Sequence, residues 1–313
     1  MLFAWLKQRR RRQLLATPFP DEWLTYLRNN VSLYAPLTEA EQAKLRDDLR
    51  VFVAERPWEG CGGLAVTDEM KVTVAAQACL LVLNIPHDYF SRVPSILVYP
   101  SGYRAPAERH GPDGTVGPDS GRLGEAWYRG PVVLAWDSVL GGGKNAHDGQ
   151  NVVLHEFAHQ LDFLDGYADG TPPLSSREEC RQWHDVMTAE YQRLVRESAR
   201  GRAEVLDAYV ATNPAEFDRL RADVERGEPT VLDAYGATNP AEFFAVATEC
   251  FFEKPRQLQE RHPEVYGVLR GYYLQDPAGW FARSSGAPPD GEGVMAGARR
   301  RRGSRRRALL RKS

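Results

Sequence analysis

The sequence predicts an α+β fold: a small sheet packed on a buried helix that carries His155-Glu156-Phe157-Ala158-His159, with additional helices around it. Three observations predict it. From Asn151 to Asp162, Val152, Val153, Leu154, Phe157, Ala158 and Leu161 give an apolar body to two histidines four apart, the spacing of one helix face. Short runs rich in β-branched and aromatic residues precede that stretch. Segments with helix-start signals lie on both sides of it.

Taken in order, residues 1–14 form a basic arm, in which apolar Met1 to Leu6 is followed by Lys7 and Arg9 to Arg12. A signal peptide has the opposite order and a longer apolar region. A helical part follows over about 15–90. In it, Thr38 and Glu41 make a capping box that opens a helix to about Glu55, and Thr67 to Leu83 reads as a second helix. Val93 to Tyr99 is a strand bounded by prolines, and Ala107 to Leu123 a loop rich in Gly, Pro and charge. Glu125–Tyr128 and Pro131–Trp136 are strands joined at Arg129-Gly130. Gly141-Gly142-Gly143-Lys144 reads as a flexible connection into the histidine helix; it lacks the spacing of a phosphate loop. The body runs over 15–283, and 284–313 is a disordered Arg-rich tail.

Composition bounds the function. A chain of 313 residues, 42% hydrophobic, can bury a sizeable core. No run approaches the ~18–20 apolar residues of a membrane span. Cys61, Cys79, Cys180 and Cys250 are scattered without a CxxC, so neither a disulfide framework nor a cysteine metal site is indicated, and the reading is a reducing, cytoplasmic protein. Arg299 to Ser313 hold nine basic residues and no acidic one. With those and the five cations of the arm set aside, the body is strongly acidic, which argues against a nucleic-acid-binding core; the tail can touch polyanions only nonspecifically.

The chemistry rests on the histidine helix. Two imidazoles one turn apart can hold one Zn²⁺, and Glu156, just after the first, is placed to take a proton from an activated water. The bland alternative is a helix whose histidines merely pack. A tetrahedral site needs a third protein ligand. No downstream histidine completes a compact motif, since position 165 is Asp, so the third ligand is expected on a later helix as a carboxylate. Asn239 can cap such a helix and Pro240 suits its first position, which puts Glu242 in the first turn of the apolar run Phe243 to Phe252. A carboxylate there is costly to bury without a partner.

These pieces, with Gly124-Glu125-Ala126-Trp127, Gly130 to Trp136 and Asp233-Ala234-Tyr235, resemble the Mlc titration factor A family of zinc peptidases, also called the DgsA anti-repressor family. The likeness covers roughly residues 15 to 280. The family is similar in its catalytic core to the anthrax lethal factor protease domain, so the resemblance implies a zincin-like fold. It implies His155, His159 and Glu242 as ligands of one zinc ion, Glu156 as general base, and Tyr235 as a group that polarises the scissile carbonyl or stabilises its oxyanion. It also implies aminopeptidase-like activity on small substrates, and a regulatory role in which a transcriptional repressor such as Mlc is bound.

One departure stands out. Val205 to Phe217 recurs as Val231 to Phe243, with only Val210 against Gly236 different. Two copies are too few for a stacked array, so this is a local duplication, with a surface insertion expected over about 205–230. It offers two tyrosine–glutamate pairs, Tyr209 with Glu216 and Tyr235 with Glu242. Charged Asp218 to Arg226 follows the first copy and belongs on a surface; the apolar run follows the second and belongs in a core. A ligand needs a rigid, buried helix, which favours Glu242. The expected activity is zinc-dependent hydrolysis of peptide bonds in a peptide or protein substrate, whose extended backbone pairs with an edge strand within Gly124 to Trp136. The other readings are a binding protein that sequesters a repressor, against which the intact His-Glu-x-x-His counts, and a zinc amidase acting on a small molecule.

Overall fold

The computed structural model of the chain describes residues 2–104, 121–122, 124–126, 130–210 and 231–284. The first helices are α1 (Leu2–Leu15), α2 (Asp21–Asn30) and α3 (Glu39–Glu55). Both arms of the expected capping box form at α3: Glu41 N–H donates to Thr38 Oγ1, and Thr38 N–H donates to Glu41 Oε2 at 2.8 Å. The basic stretch near the start is helical, and Arg11 fixes it to the body through Glu55 at 2.6 Å and Asp88 at 2.7 Å. After strand β1 (Trp58–Gly60), Thr67 caps helix α4 (Asp68–Leu81) by accepting from Met70 N–H.

The expected Val93–Tyr99 strand is confined to β2 (Ile96–Tyr99). Pro94 offers no N–H for a ladder, and pairing starts only beyond it. Tyr103–Arg104 (β3) pairs antiparallel with Gly121–Arg122 (β4), so the loop expected over 107–123 gives up its end to a two-residue strand. The strands β5 (Gly124–Ala126) and β6 (Val132–Ala135) are antiparallel, as a hairpin requires; most of the turn between them lies outside the described residues. The sheet order is β1-β2-β6-β5, with the first three parallel and β5 at the edge. Buried alternate and consecutive positions, Ile96 and Val98 on β2 and all of β6, show a sheet covered on both faces at its centre.

The glycine run is a correction. Residues 141–144 are not a flexible connection but the last turn of helix α5 (Trp136–Lys144). The lack of a side chain at Gly142 and Gly143 serves close packing. A Cβ on Gly143 would lie 2.4 Å from the Asn30 carbonyl oxygen, and one on Gly142 would lie 3.0 Å from the Asn151 Cα. The glycines let α5 approach α2 and the start of the histidine helix.

That helix is α6 (Val152–Asp162), and it packs against α4, β5 and a later helix, α8 (Pro240–Glu253). Phe157 anchors its inner face between the rings of Phe52 and Phe90, at 5.7 and 4.8 Å between centroids. Burying one such ring stabilises the fold by roughly 2–3 kcal/mol. Between α6 and α8 run the long helix α7 (Arg177–Val210) and a 3₁₀ turn, Ala234–Ala237. Helices α9 (Pro255–Arg261), α10 (Pro263–Tyr273) and α11 (Pro277–Ser284) close the described fold. None of the described helices is long and apolar enough to cross a membrane.

Candidate metal centre

Two helices build the site. On α6 the imidazoles of His155 and His159 lie one turn apart with ring centroids 4.9 Å from each other. On α8, Asn239 caps the helix by accepting from Glu242 N–H at 3.0 Å, and Pro240 occupies the first turn. This places Glu242 opposite both histidines, with its Oε2 3.0 Å from His155 Nε2 and 3.4 Å from His159 Nε2. One ligand atom from each of the three lies within 4.8 Å of the others. Tetrahedral ligands at zinc bond lengths sit about 3.3–3.5 Å apart, so the donor set and its spacing fit such an ion.

The electrostatics agree with a cation-seeking cluster. Burial opposes charge on His155, but its bonds to Glu242 and Glu249 outweigh that and lift its pKa to about 10. Burial likewise pushes Glu242 up, and the bonds from His155 and His159 more than offset it, holding the carboxyl well below its ordinary range. Glu156 is buried beside the histidines, at 5% exposure. Tyr235, in the 3₁₀ turn, is exposed, with its ring centroid 6.0 Å from that of His155. The structure therefore brings His155, Glu156, His159, Tyr235 and Glu242 together. Glu216 lies outside the described residues, and Tyr209 lies on the last turn of α7.

Sequence reasoning missed the groups that hold this cluster in place. Glu249, two turns after Glu242 on α8, faces His155 Nδ1 at 3.0 Å through Oε2. Its other oxygen accepts from Asn151 N–H at 2.6 Å. A carboxylate on the far ring nitrogen sets the tautomer that leaves Nε2 to bind metal. Asn151 is the N-cap of α6, accepting from Val153 and Leu154 N–H, and its amide donates to Gln77 on α4 and Glu253 on α8. Burial lifts the Glu253 pKa to about 9. The only signal for this network was polar residues inside otherwise apolar helices.

A second support lies at the other end of α6. Asp162 is fully buried and accepts from Gly170 N–H at 2.9 Å, while Trp183 Nε1–H donates to the Gly170 carbonyl at 3.0 Å. Gly170 has φ +77, and a Cβ there would stand 2.3 Å from the Pro240 carbonyl oxygen. Only glycine allows the loop so close to the first turn of α8, where Glu242 begins. A separate cavity of about 560 Å³ is lined by Leu161, Leu164, Trp183, Val268 and Tyr272 among others, and by none of His155, Glu156, His159, Tyr235 and Glu242.

The sequence matches the glucose-regulated metallo-peptidase M90 family over residues 5–218 and again over 217–274. The chain belongs to this family. The two matched stretches meet just after the first copy of the duplicated segment. Among relatives, an uncharacterized protein of Synechocystis sp. is 37% identical over 276 residues, covering 87% of this chain and 90% of its own. Mlc titration factor A of Yersinia pestis is 28% identical over 255 residues, covering 79% and 83%. The same name and identity recur in Yersinia pseudotuberculosis. Membership of a metallo-peptidase family implies a bound metal, and the His155, His159 and Glu242 cluster is the one such group found among the described residues.

Proposed function

We propose that this chain is a zincin-like, zinc-dependent peptidase whose single metal is held by His155, His159 and Glu242. One observation carries the reading: three ligand atoms from two separate helices converge within 4.8 Å, beside a buried glutamate that follows the first histidine. When bound, the metal polarises a scissile carbonyl and lowers the pKa of a nearby water. The protein's own residues do the rest. Glu156 takes the proton of the attacking water and returns it to the leaving amine. Glu249 holds the His155 ring in one orientation through its Nδ1, at 3.0 Å. Tyr235, exposed and close to His155, donates its phenol to the oxyanion that develops on the carbonyl. The outer strand β5, at the sheet edge and against α6, offers backbone groups to an extended peptide substrate.

Cleavage of an aminopeptidase-like kind in the cytoplasm, within a catalytic body over 15–283, completes this reading. A second role is supported by the relatives' name, Mlc titration factor A: binding of a transcriptional repressor of the Mlc kind. The test of the enzyme reading is Glu156→Gln. The variant should keep its metal and lose at least ~10²-fold in peptide turnover, the scale of a positioned general base. Normal turnover would remove Glu156 from the mechanism, and hydrolysis by neither form, with repressor binding intact, would leave the binding role alone.

A further inference from the structure

Helix α1 carries Lys7 and Arg9 to Arg12 and no acidic residue. Its cations divide into two sets. Lys7 and Arg11 face the body: Lys7 meets Asp88 at 2.9 Å, and Arg11 meets Glu55 and Asp88 and lies over the Tyr89 ring at 4.4 Å. Arg9, Arg10 and Arg12 are exposed, and none of them has a carboxylate partner among the described residues. At the other end of the same helix Trp5 is 52% exposed and Leu6 45%, two of the few large apolar side chains left in solvent. The residues before them, Leu2, Phe3 and Ala4, are apolar as well.

We infer that the exposed side of α1 is a docking surface for an anionic lipid bilayer. That side offers apolar and cationic groups together, which match the interface and the phosphates of such a bilayer. Trp5 and Arg9 lie side by side there, the Arg9 guanidinium 5.6 Å from the centre of the Trp5 ring, and Arg10 and Arg12 follow within the next turn. An interfacial helix lies along the bilayer surface, with its apolar side chains entering roughly 5–10 Å and its cations staying at the headgroups. Trp5 and Leu6 enter the interface, where indole rings settle, while the arginines lie at the phosphates. The ion pairs of Lys7 and Arg11 hold the helix rigidly to the body, so its exposed side needs no folding on contact. A nucleic-acid duplex would use the arginines but not Trp5 or Leu6, and the acidic body would oppose it. Each exposed arginine is worth about fivefold in partitioning onto an anionic surface, so the three together are worth roughly a hundredfold. The contact is therefore reversible and sensitive to salt.

The experiment is co-sedimentation of the full chain with vesicles of phosphatidylcholine, alone or with about one third phosphatidylglycerol, at low and at high salt. The chain should bind the anionic vesicles at low salt, leave them at high salt, and ignore the neutral ones. A combined R9Q/R10Q/R12Q variant should lose roughly a hundredfold in partitioning, and Trp5→Ala severalfold. These side chains are exposed, so thermal unfolding should confirm an unchanged body. Three results overturn the proposal. One is failure of the parent chain to bind anionic vesicles. Another is loss of binding through R305Q/R306Q/R307Q with the α1 variant unaffected. The third is equal or tighter binding to duplex DNA that Trp5→Ala does not alter.

Discussion

Val205–Tyr209 and Val231–Tyr235 have the same sequence, and the structure gives them different conformations. The first lies within the last turns of α7, which runs to Val210. The second is not α-helical: Val231 and Leu232 are buried in the core, Asp233 caps the following 3₁₀ turn by accepting from Tyr235 N–H at 2.8 Å, and Tyr235 stands beside His155. Intrinsic propensity is identical in the two, so packing decides. What differs is the neighbourhood. The second copy runs into apolar α8, whose Cys250 Sγ–H bonds back to the Val231 carbonyl at 3.0 Å. The single substitution between the copies points the same way. A Cβ on Gly236 would lie 3.3 Å from Leu194 Cδ2 and 3.4 Å from Val246 Cβ, so the valine of the first copy would crowd this place. Duplicated residues become a site only where the surrounding core holds them.

The two copies should differ most at their glutamates. Glu242→Gln should lose metal and essentially all hydrolysis, whereas Glu216→Gln should be nearly silent; essential Glu216 with dispensable Glu242 would reverse the assignment. Next comes exchange of the differing residue. Gly236→Val should lower stability by about 1–3 kcal/mol, the usual cost of overpacking, and slow turnover by shifting Tyr235. Val210→Gly should cost no more than about 1 kcal/mol in chemical denaturation. The tyrosines follow: Tyr235→Phe should slow turnover about 10²–10³-fold without removing metal, as expected for loss of one oxyanion donor. Tyr209→Phe should leave kcat unchanged.

A separate effect concerns pH and the loop that seats α8. Burial, only partly opposed by the Gly170 N–H, lifts the Asp162 carboxyl to about 6. An acid raised in the folded state favours folding below its unfolded pKa, and that contribution is lost as pH rises through the folded value. Relative to Asp162→Asn, the parent chain should therefore lose about 2–3 kcal/mol between pH 4 and pH 7. Parallel stability curves for the two proteins would show that Asp162 ionises as freely folded as unfolded.

Much of the site was legible because it rests on local rules. The i, i+4 histidines, the Asn239-Pro240 cap and the contrast between charged and apolar runs are all read within one helix. The supports were not legible. Glu249 and Glu253 are distant partners of His155 and Asn151, and no spacing rule joins α8 to the start of α6 across about a hundred residues. Gly141 to Gly143 misled for a related reason. Glycine signals freedom in a loop and closeness in a packed helix, and only the carbonyl of Asn30 against Gly143 tells which applies. The sheet order was equally hidden, since β1 is three residues long and pairs in parallel with a strand some forty residues away.

Everything proposed for the site depends on α6 and α8 together holding one zinc ion. Anomalous diffraction from crystals of the purified chain, collected on both sides of the zinc absorption edge, tests it most directly. One strong difference peak per chain is expected within about 2.0–2.2 Å of His155, His159 and Glu242. A peak liganded by Glu216, or zinc bound away from both histidines, would contradict it.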